Sequence, residues 1–440
     1  MSTTNTPAAP PGRGIQVTRP WLARLLTFLM VVGPGLIVME ADNDAGAVST
    51  YTQAGAQYGT SFLWILLLLL PVTYFVQEMV VRLGVATGEG HAAMIYKRFG
   101  KGWGRFSLFD LQLVNYLTLV TEFAAVDLAL TKMGIPTIWG VPLVAVGLIV
   151  MVLSGSYRRW EAITIGLCLL DTVWLLLAWK LGPGPREWIG ATVRPELPVT
   201  GLTSDYVFLV IATVGTTIAP WQLFFQQSCV ADKRLRFKDL GWARLDTLLG
   251  AIFTIVVAGC MVVVGDAARR WGASHAGFSY TDPAQLAVFL GQDFGPWVRW
   301  GLLLLMINAA ILGTTAISLS SAWAYGEVME WPASLQMPFA KAKGFYLVYI
   351  AAVLSAAGLV LLPRAPLQLI ILGVQVLAGI MLPSAIIFLQ LLLTDRELLG
   401  ERFTNRSWNN WINWTIILLL FALSLVLAAQ VMLPNIFPAN

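Results

Sequence analysis

Gly33-Pro34-Gly35-Leu36-Ile37-Val38-Met39-Glu40-Ala41-Asp42-Asn43-Asp44-Ala45-Gly46-Ala47 lies inside what is otherwise an unbroken membrane-spanning stretch. Apolar sequence runs upstream from Trp21, and the next long apolar run begins near Phe62. An ionisable side chain in a bilayer costs at least a few kcal/mol, so each one is a functional-site hypothesis by default. Here Glu40, Asp42 and Asp44 join Asn43 within five positions, beside Gly and Ala rather than bulky helix formers. The pattern predicts a place where a cation stops.

The rest of the chain supports that setting. Of 440 residues, 57% are hydrophobic and only 12% charged, and the mean hydropathy is +0.72. A soluble chain carries about 25% charged residues. Many apolar runs reach the roughly 20 residues a helix needs to cross a bilayer, whereas a β-barrel shows short alternating segments. The fold class is therefore all-α and polytopic. Cys168, Cys229 and Cys260 lie apart in apolar segments, with neither metal-ligand spacing nor a disulfide framework. His91 and His275 are far apart, so imidazole-rich metal sites are poorly supplied. Residues 1–20, rich in Thr, Pro and Gly, read as a disordered tail without the apolar core of a signal peptide.

Eleven spans are predicted, near 23–52, 60–84, 107–131, 135–155, 160–180, 203–231, 245–266, 297–327, 343–362, 366–394 and 409–433. Basic residues gather in alternate connections: Lys97, Arg98, Lys101 and Arg105; Arg158 and Arg159; Lys233, Arg234, Arg236, Lys238 and Arg244; Lys341 and Lys343; Arg396, Arg402 and Arg406. In the opposite connections Lys132 and Arg364 stand alone, and only the longer 181–202 and 267–296 loops hold more. By the positive-inside rule the N-terminus is cytoplasmic and the C-terminus outside. That alternation also accounts for the net charge of +4 without a nucleic-acid partner.

A second interruption falls in span six, at Val214-Gly215-Thr216-Thr217-Ile218-Ala219-Pro220. Pro220 removes a backbone donor and clashes with the preceding turn. Five spans separate the starts of the two broken segments, so the second copy runs in the opposite orientation. Interrupted helices in matching positions of inverted halves mark a transporter's midplane site, and the freed carbonyls of the unwound turns can line it. The expected organisation is a first repeat over 21–181, a second over 203–395, and an additional helix at 409–433.

The stretch from Gly33-Pro34-Gly35 to Ala56 resembles the first span of the NRAMP divalent-metal transporters, which carries an Asp-Pro-Gly-Asn motif. Without gaps, that motif falls on Asp44-Ala45-Gly46-Ala47. Similarity continues in Leu63-Trp64-Ile65-Leu66-Leu67 and Arg82-Leu83-Gly84-Val85-Ala86-Thr87-Gly88. It extends to Ala219-Pro220-Trp221 against the family's Met-Pro-His, and to Gln375 eight residues before Pro383. The resemblance implies LeuT-like inverted repeats with helices one and six broken, and transport by alternating access.

It also implies a ligand set. The family's metal-binding Asp and Gln match Asp44 and Gln375, but its Asn, Met and Ala-carbonyl positions hold Ala47, Ala219 and Thr216. Its proton-associated His matches Trp221, and its span-three Asp-Glu pair matches Leu119 and Glu122. This pattern resembles the NRAMP-related magnesium transporters, which implies Mg2+ carriage without proton coupling. The chemistry agrees, since a site without a thioether loses its preference for softer metals. Mg2+ keeps several waters and binds through one or two carboxylates. The candidate metal set is thus Asp44, Asn43, Ala47, Thr216, Ala219 and Gln375, with Glu40, Asp42, Thr217, Trp221 and Glu122 behind it or along the pathway.

Other roles stay open for several of these. Glu40 and Asp42 could line a vestibule or cap the broken helix, and Gln375 could tie helices together. Thr216 and Thr217 could satisfy carbonyls freed near Pro220. Glu122 could be a remnant of a proton route, a pore-lining acid or an ion-pair partner. The functional expectation is a secondary transporter in a bacterial plasma membrane, importing partly hydrated Mg2+, with Mn2+ as a surrogate. Its rivals are a proton-coupled Mn2+/Fe2+ symporter and a sodium-coupled symporter for an organic solute. No nucleophile–base constellation or nucleotide loop suggests an enzyme. The metal is substrate rather than cofactor, the partners are that ion and the bilayer, and the oligomeric state is left open.

Overall fold

A computed structural model describes residues 27, 28, 30–198, 201, 203–274, 279–362 and 367–432. The expected tail at 1–20, His275 and Arg364 lie outside the described residues. Span one divides into α1 (Pro34–Glu40) and α2 (Ala45–Tyr58). Pro34 starts α1, where its missing N–H costs nothing. Gly33 precedes it at φ 144°, a conformation that residues with a Cβ avoid. Asp44 starts α2 by accepting the Ala47 N–H on Oδ1 at 2.9 Å.

A 3-10 turn (Gly59–Phe62) leads into α3 (Leu63–Thr87). Next comes α4 (His91–Met133), in which Gly100 alone departs from helical geometry, at φ 85°. Lys97, Arg98, Lys101 and Arg105 therefore sit on helical turns either side of a kink, not in the loop predicted before span three. Glycine makes this cheap, because it turns the chain without unwinding its neighbours.

Span four is α5 (Thr137–Leu153), and span five is α6 (Tyr157–Leu170) plus α7 (Thr172–Leu181), which meet in a turn at Asp171. Inside the 181–202 loop lies α8 (Pro185–Val193), with none of its residues buried. Span six is α9 (Ser204–Thr217) and α10 (Pro220–Asp232). Only Ile218 and Ala219 are extended, so the break is narrower than the 214–220 segment predicted. Pro220 occupies the first turn of α10 rather than the interior of a helix. The missing Cβ of Gly215 serves packing instead: one placed there would strike the backbone of Gln375 and Gly379.

The second half continues through α11 (Leu240–Ser274), α12 (Pro283–Phe294), α13 (Pro296–Val328), α14 (Lys343–Val360) and α15 (Leu367–Thr394). It ends with α16 (Arg396–Phe403) and α17 (Ser407–Met432). Among the described residues nine helical stretches are long and apolar enough to cross a membrane. One, Ala45–Thr87, joins the second half of span one to span two, and the shorter apolar Thr137–Leu153 supplies span four. The result is the predicted all-α order of eleven spans.

Two long contacts frame the broken helices: α4 runs along α13, and α11 along α1 and α2. The buried start of α1 is held by side chains from other spans. The Asp246 carboxylate on α11 accepts the N–H groups of Gly33 (3.2 Å), Gly35 (2.7 Å) and Leu36 (3.2 Å). Lys233 Nζ, just past α10, donates to the carbonyls of Val31 (3.1 Å) and Val32 (2.8 Å) and pairs with Glu161 at 2.7 Å. A carboxylate on a helix N-terminus also meets the positive end of the dipole.

Candidate functional site

The N-terminus of α2 gathers two carboxylates. Asp44 takes the Ala47 N–H, while Glu122, from α4, takes the Ala45 N–H on Oε2 at 3.2 Å. Gly313 on α13 closes over them, since a Cβ there would sit 2.8 Å from Glu122 Cδ and 2.9 Å from Asp44 Cβ. Gln375, from α15, lies across Gly46 so closely that a methyl group at Gly46 would overlap its amide. Asp44, Glu122 and Gln375 are thus brought together by three helices around one helix start. All are buried, and among the described residues no Lys or Arg forms an ion pair with either carboxylate.

Buried polar atoms are normally satisfied. Here Glu122 Oε1, Gln375 Nε2, Thr216 Oγ1 and both carboxylate oxygens of Asp42 have no hydrogen-bond partner. The side chain facing Asp42 is Gln222. Gln222 itself braces the span-six break, its Oε1 accepting from Ala219 N (3.2 Å) and Gln77 Nε2 (3.0 Å). Ala47 and Ala219 bring no side-chain ligand atom. Thr217 is engaged elsewhere, with its Oγ1 2.7 Å from Tyr51 OH and donating to Thr213 O at 2.6 Å. The Tyr51–Thr217 bond ties the broken span six to α2. Trp221 is fully buried against Phe225, its ring nitrogen unpartnered and its carbonyl accepting from Ser320.

Glu40 and Asn43 turn towards α11 rather than α4. Thr254 Oγ1 lies 2.9 Å from Glu40 Oε1, and Asn43 Nδ2 reaches Thr254 O at 3.4 Å and Glu40 Oε2 at 3.5 Å. Asn43 Oδ1 stays without a partner. The sequence reading passed over Gln222, Tyr51, Thr254 and Gly313, and also the spanning carboxylates Asp171 and Asp246. The rule that singled out Asp44, an acid inside an apolar span, applies equally to those last two. Chemically, the residues gathered here, Asp44, Glu122, Gln375, Thr216 and Asp42, offer hard oxygens and amides, and their carboxylates form no ion pair among the described residues. Such a donor set suits a hard cation.

The sequence profile for "Natural resistance-associated macrophage protein-like" proteins matches residues 35–430. The chain belongs to the Nramp family. Similar relatives include "Divalent metal cation transporter MntH" from Staphylococcus aureus strains JH9 and Newman. Each is 25% identical over 431 residues, covering 92% of this chain and 91% of the relative. A solved manganese transporter from Eremococcus coleocola shares the fold at TM-score 0.72 and 17% identity, covering 97% of this chain and 90% of that one. As an Nramp protein the chain is an integral membrane transporter of divalent metal ions and not an enzyme, and the metal is its cargo.

Proposed function

We propose that this Nramp protein carries partly hydrated Mg2+, with Mn2+ as a surrogate, inward by alternating access and without proton coupling. Asp44 is the direct carboxylate, Gln375 and Thr216 supply further contacts, and Asn43 Oδ1 and Asp42 receive waters of the ion. The space that the family's Asn and Met would fill falls to Ala47 and Ala219. The observation that supports the reading is the set of unpartnered oxygens and amides near Asp44, Glu122 Oε1, Gln375 Nε2 and Thr216 Oγ1, with Ala rather than Met at 219. Trp221, in place of the family's His, removes one proton acceptor. The membrane potential suffices as a drive, since each charge gains about 2.3 kcal/mol per 100 mV and a divalent ion twice that. The charge alternation of the connections supports a cytoplasmic N-terminus.

The full chain in proteoliposomes is expected to load Mg2+ into vesicles held at an inside-negative potential, with no acidification of the lumen. Uptake of Mn2+ but not Mg2+ would overturn the substrate. Lumenal acidification in step with the metal would establish the second reading, a proton-coupled symporter. That rival has one observation in its favour, the Glu122 carboxyl set directly beside Asp44. Selectivity gives a separate check. Ala219→Met adds a soft ligand, so the Mn2+:Mg2+ uptake ratio should rise, a tenfold rise corresponding to about 1.4 kcal/mol. An unchanged ratio in competition assays would remove Ala219 from the ion's surroundings.

A further inference from the structure

At the end of the bundle where the basic connections gather, α3 packs on α11, α16 and the start of α17, and these elements surround a cavity of about 530 Å3. That volume is ample for a small ligand or a headgroup. Four guanidinium groups line it: Arg82 on α3, Arg244 on α11, Arg402 on α16 and Arg406 just before α17. Against them stands one carboxylate, Glu78. It is already committed. Glu78 Oε1 accepts from Arg244 Nε at 2.9 Å and Nη2 at 2.6 Å, and its Oε2 accepts from Arg82 Nη2 at 3.1 Å. Arg82 Nη1 also donates to Phe403 O at 3.0 Å, which joins α3 to α16.

What this cavity lacks is anions. Among the described residues neither Arg402 nor Arg406 forms an ion pair. The Arg402 guanidinium lies 3.5 Å from the ring centre of Phe237, in the 3-10 turn Phe237–Asp239. Such a contact orients a cation without neutralising it. Arg82 is 6% exposed, and its buried Nε has no hydrogen-bond partner. Guanidinium forks match phosphate oxygens in geometry and charge. The chain's first 26 residues carry Arg13, Arg19 and Arg24 and no Asp or Glu, so they bring no anion to this place. The walls point to a phosphate that belongs to a lipid. Phe75 and Trp408, which also line the cavity, meet edge-on at 6.1 Å. Trp408 is 50% exposed, and the next turn of α17 exposes Trp411 and Trp414 beside a second hollow. Exposed tryptophans at a helix start mark the membrane–water interface, where a headgroup arrives with its chains still in the bilayer.

We propose that this cavity binds the headgroup of an anionic phospholipid, its phosphate held by Arg402 and Arg406 with Arg82 in the wall, and its chains lying along Trp408 and Trp411. Basic pockets between spanning helices are where acidic headgroups lodge. A headgroup there joins the connection before α17 to α3 and α11. The site stands on residues other than those assigned to the transported ion, and it holds whether that ion is Mg2+ or Mn2+.

The test is thermal unfolding of the purified full-length chain, stripped of lipid in a neutral detergent, because a ligand that binds only the folded state raises its midpoint. Phosphatidylglycerol is expected to raise it saturably, while phosphatidylcholine and inorganic phosphate leave it unchanged. Arg402→Gln combined with Arg406→Gln should raise the half-saturating lipid concentration about 30-fold. Each change alone should raise it about fivefold, which guards against the pair failing to fold. Arg82 and Arg244 are kept because they hold Glu78. Lys101→Gln with Arg105→Gln removes the same charge from α4, outside the cavity, and should leave the titration as it was. An equal rise with phosphatidylcholine overturns the site, as does a phosphatidylglycerol titration that none of the Arg402 and Arg406 substitutions moves. An equal weakening in the α4 variant overturns it in favour of diffuse surface charge. A rise with inorganic phosphate as large as that with the lipid overturns the choice of a lipid.

Discussion

Asp44→Asn should cut divalent-metal uptake by up to about 100-fold while leaving the fold intact. Removing a charged hydrogen-bonding partner forfeits about 1.5–3 kcal/mol, which is roughly 10- to 150-fold in affinity. The substitution separates the two jobs that Asp44 holds. As the residue that starts α2, it accepts the Ala47 N–H, and Asn performs that task as well as Asp. In the proposed site it is the carboxylate beside Glu122 that would carry the charge a cation requires, and Asn would not supply it. The measurement is initial uptake rate in proteoliposomes, read together with the unfolding midpoint. An unchanged rate would move the metal's direct carboxylate elsewhere, with Asp42 the first alternative because both of its oxygens are buried and unpartnered.

The two broken helices were legible from the chain itself. Polar residues inside apolar runs, with Pro220 in one of them, exposed both breaks, and the count between them predicted an inverted repeat. Extents were less legible. The chain reads as interrupted from Val214 to Pro220, yet only Ile218 and Ala219 leave helical geometry. Glycine is ambiguous in sequence, because the same residue loosens a helix or lets two backbones meet. Gly215 does the second, and no local pattern distinguishes the cases.

The candidate site divides in the same way. Asp44, Glu122 and Gln375 were marked by their types and by a family resemblance, and they converge. Their neighbours were not. Gln222 and Tyr51 act through partners 145 and 166 residues away in the chain, and such pairings depend on tertiary packing that local periodicity does not encode. Asn43 shows a related limit. Its place next to Asp44 in sequence does not fix where its amide points: the nitrogen turns to Thr254 and Glu40, while Oδ1 stays without a partner.

Asp246→Ala should release α1 from the bundle and disable transport. Three backbone N–H groups, from Gly33, Gly35 and Leu36, depend on that one carboxylate. A buried donor left unsatisfied costs about 1–3 kcal/mol, so even partial rescue by water leaves a deficit near 3 kcal/mol, or about 100-fold in the docked population. Hydrogen exchange over residues 35–40 should accelerate by about that factor, with exchange in α4 and α13 unchanged. Asp246→Asn, which keeps one acceptor oxygen, should fall between. Equal acceleration throughout the bundle would instead mean general destabilisation, and no acceleration would mean that Lys233, bonded to Val31 O and Val32 O, holds the helix alone. The stake is mechanical. Glu40 ends α1 and Asp44 follows four residues later, so freeing the start of α1 should loosen the approach to the proposed Asp44 site. Alternating access needs a helix that can leave its seat, and Asp246 sets how firmly α1 occupies it.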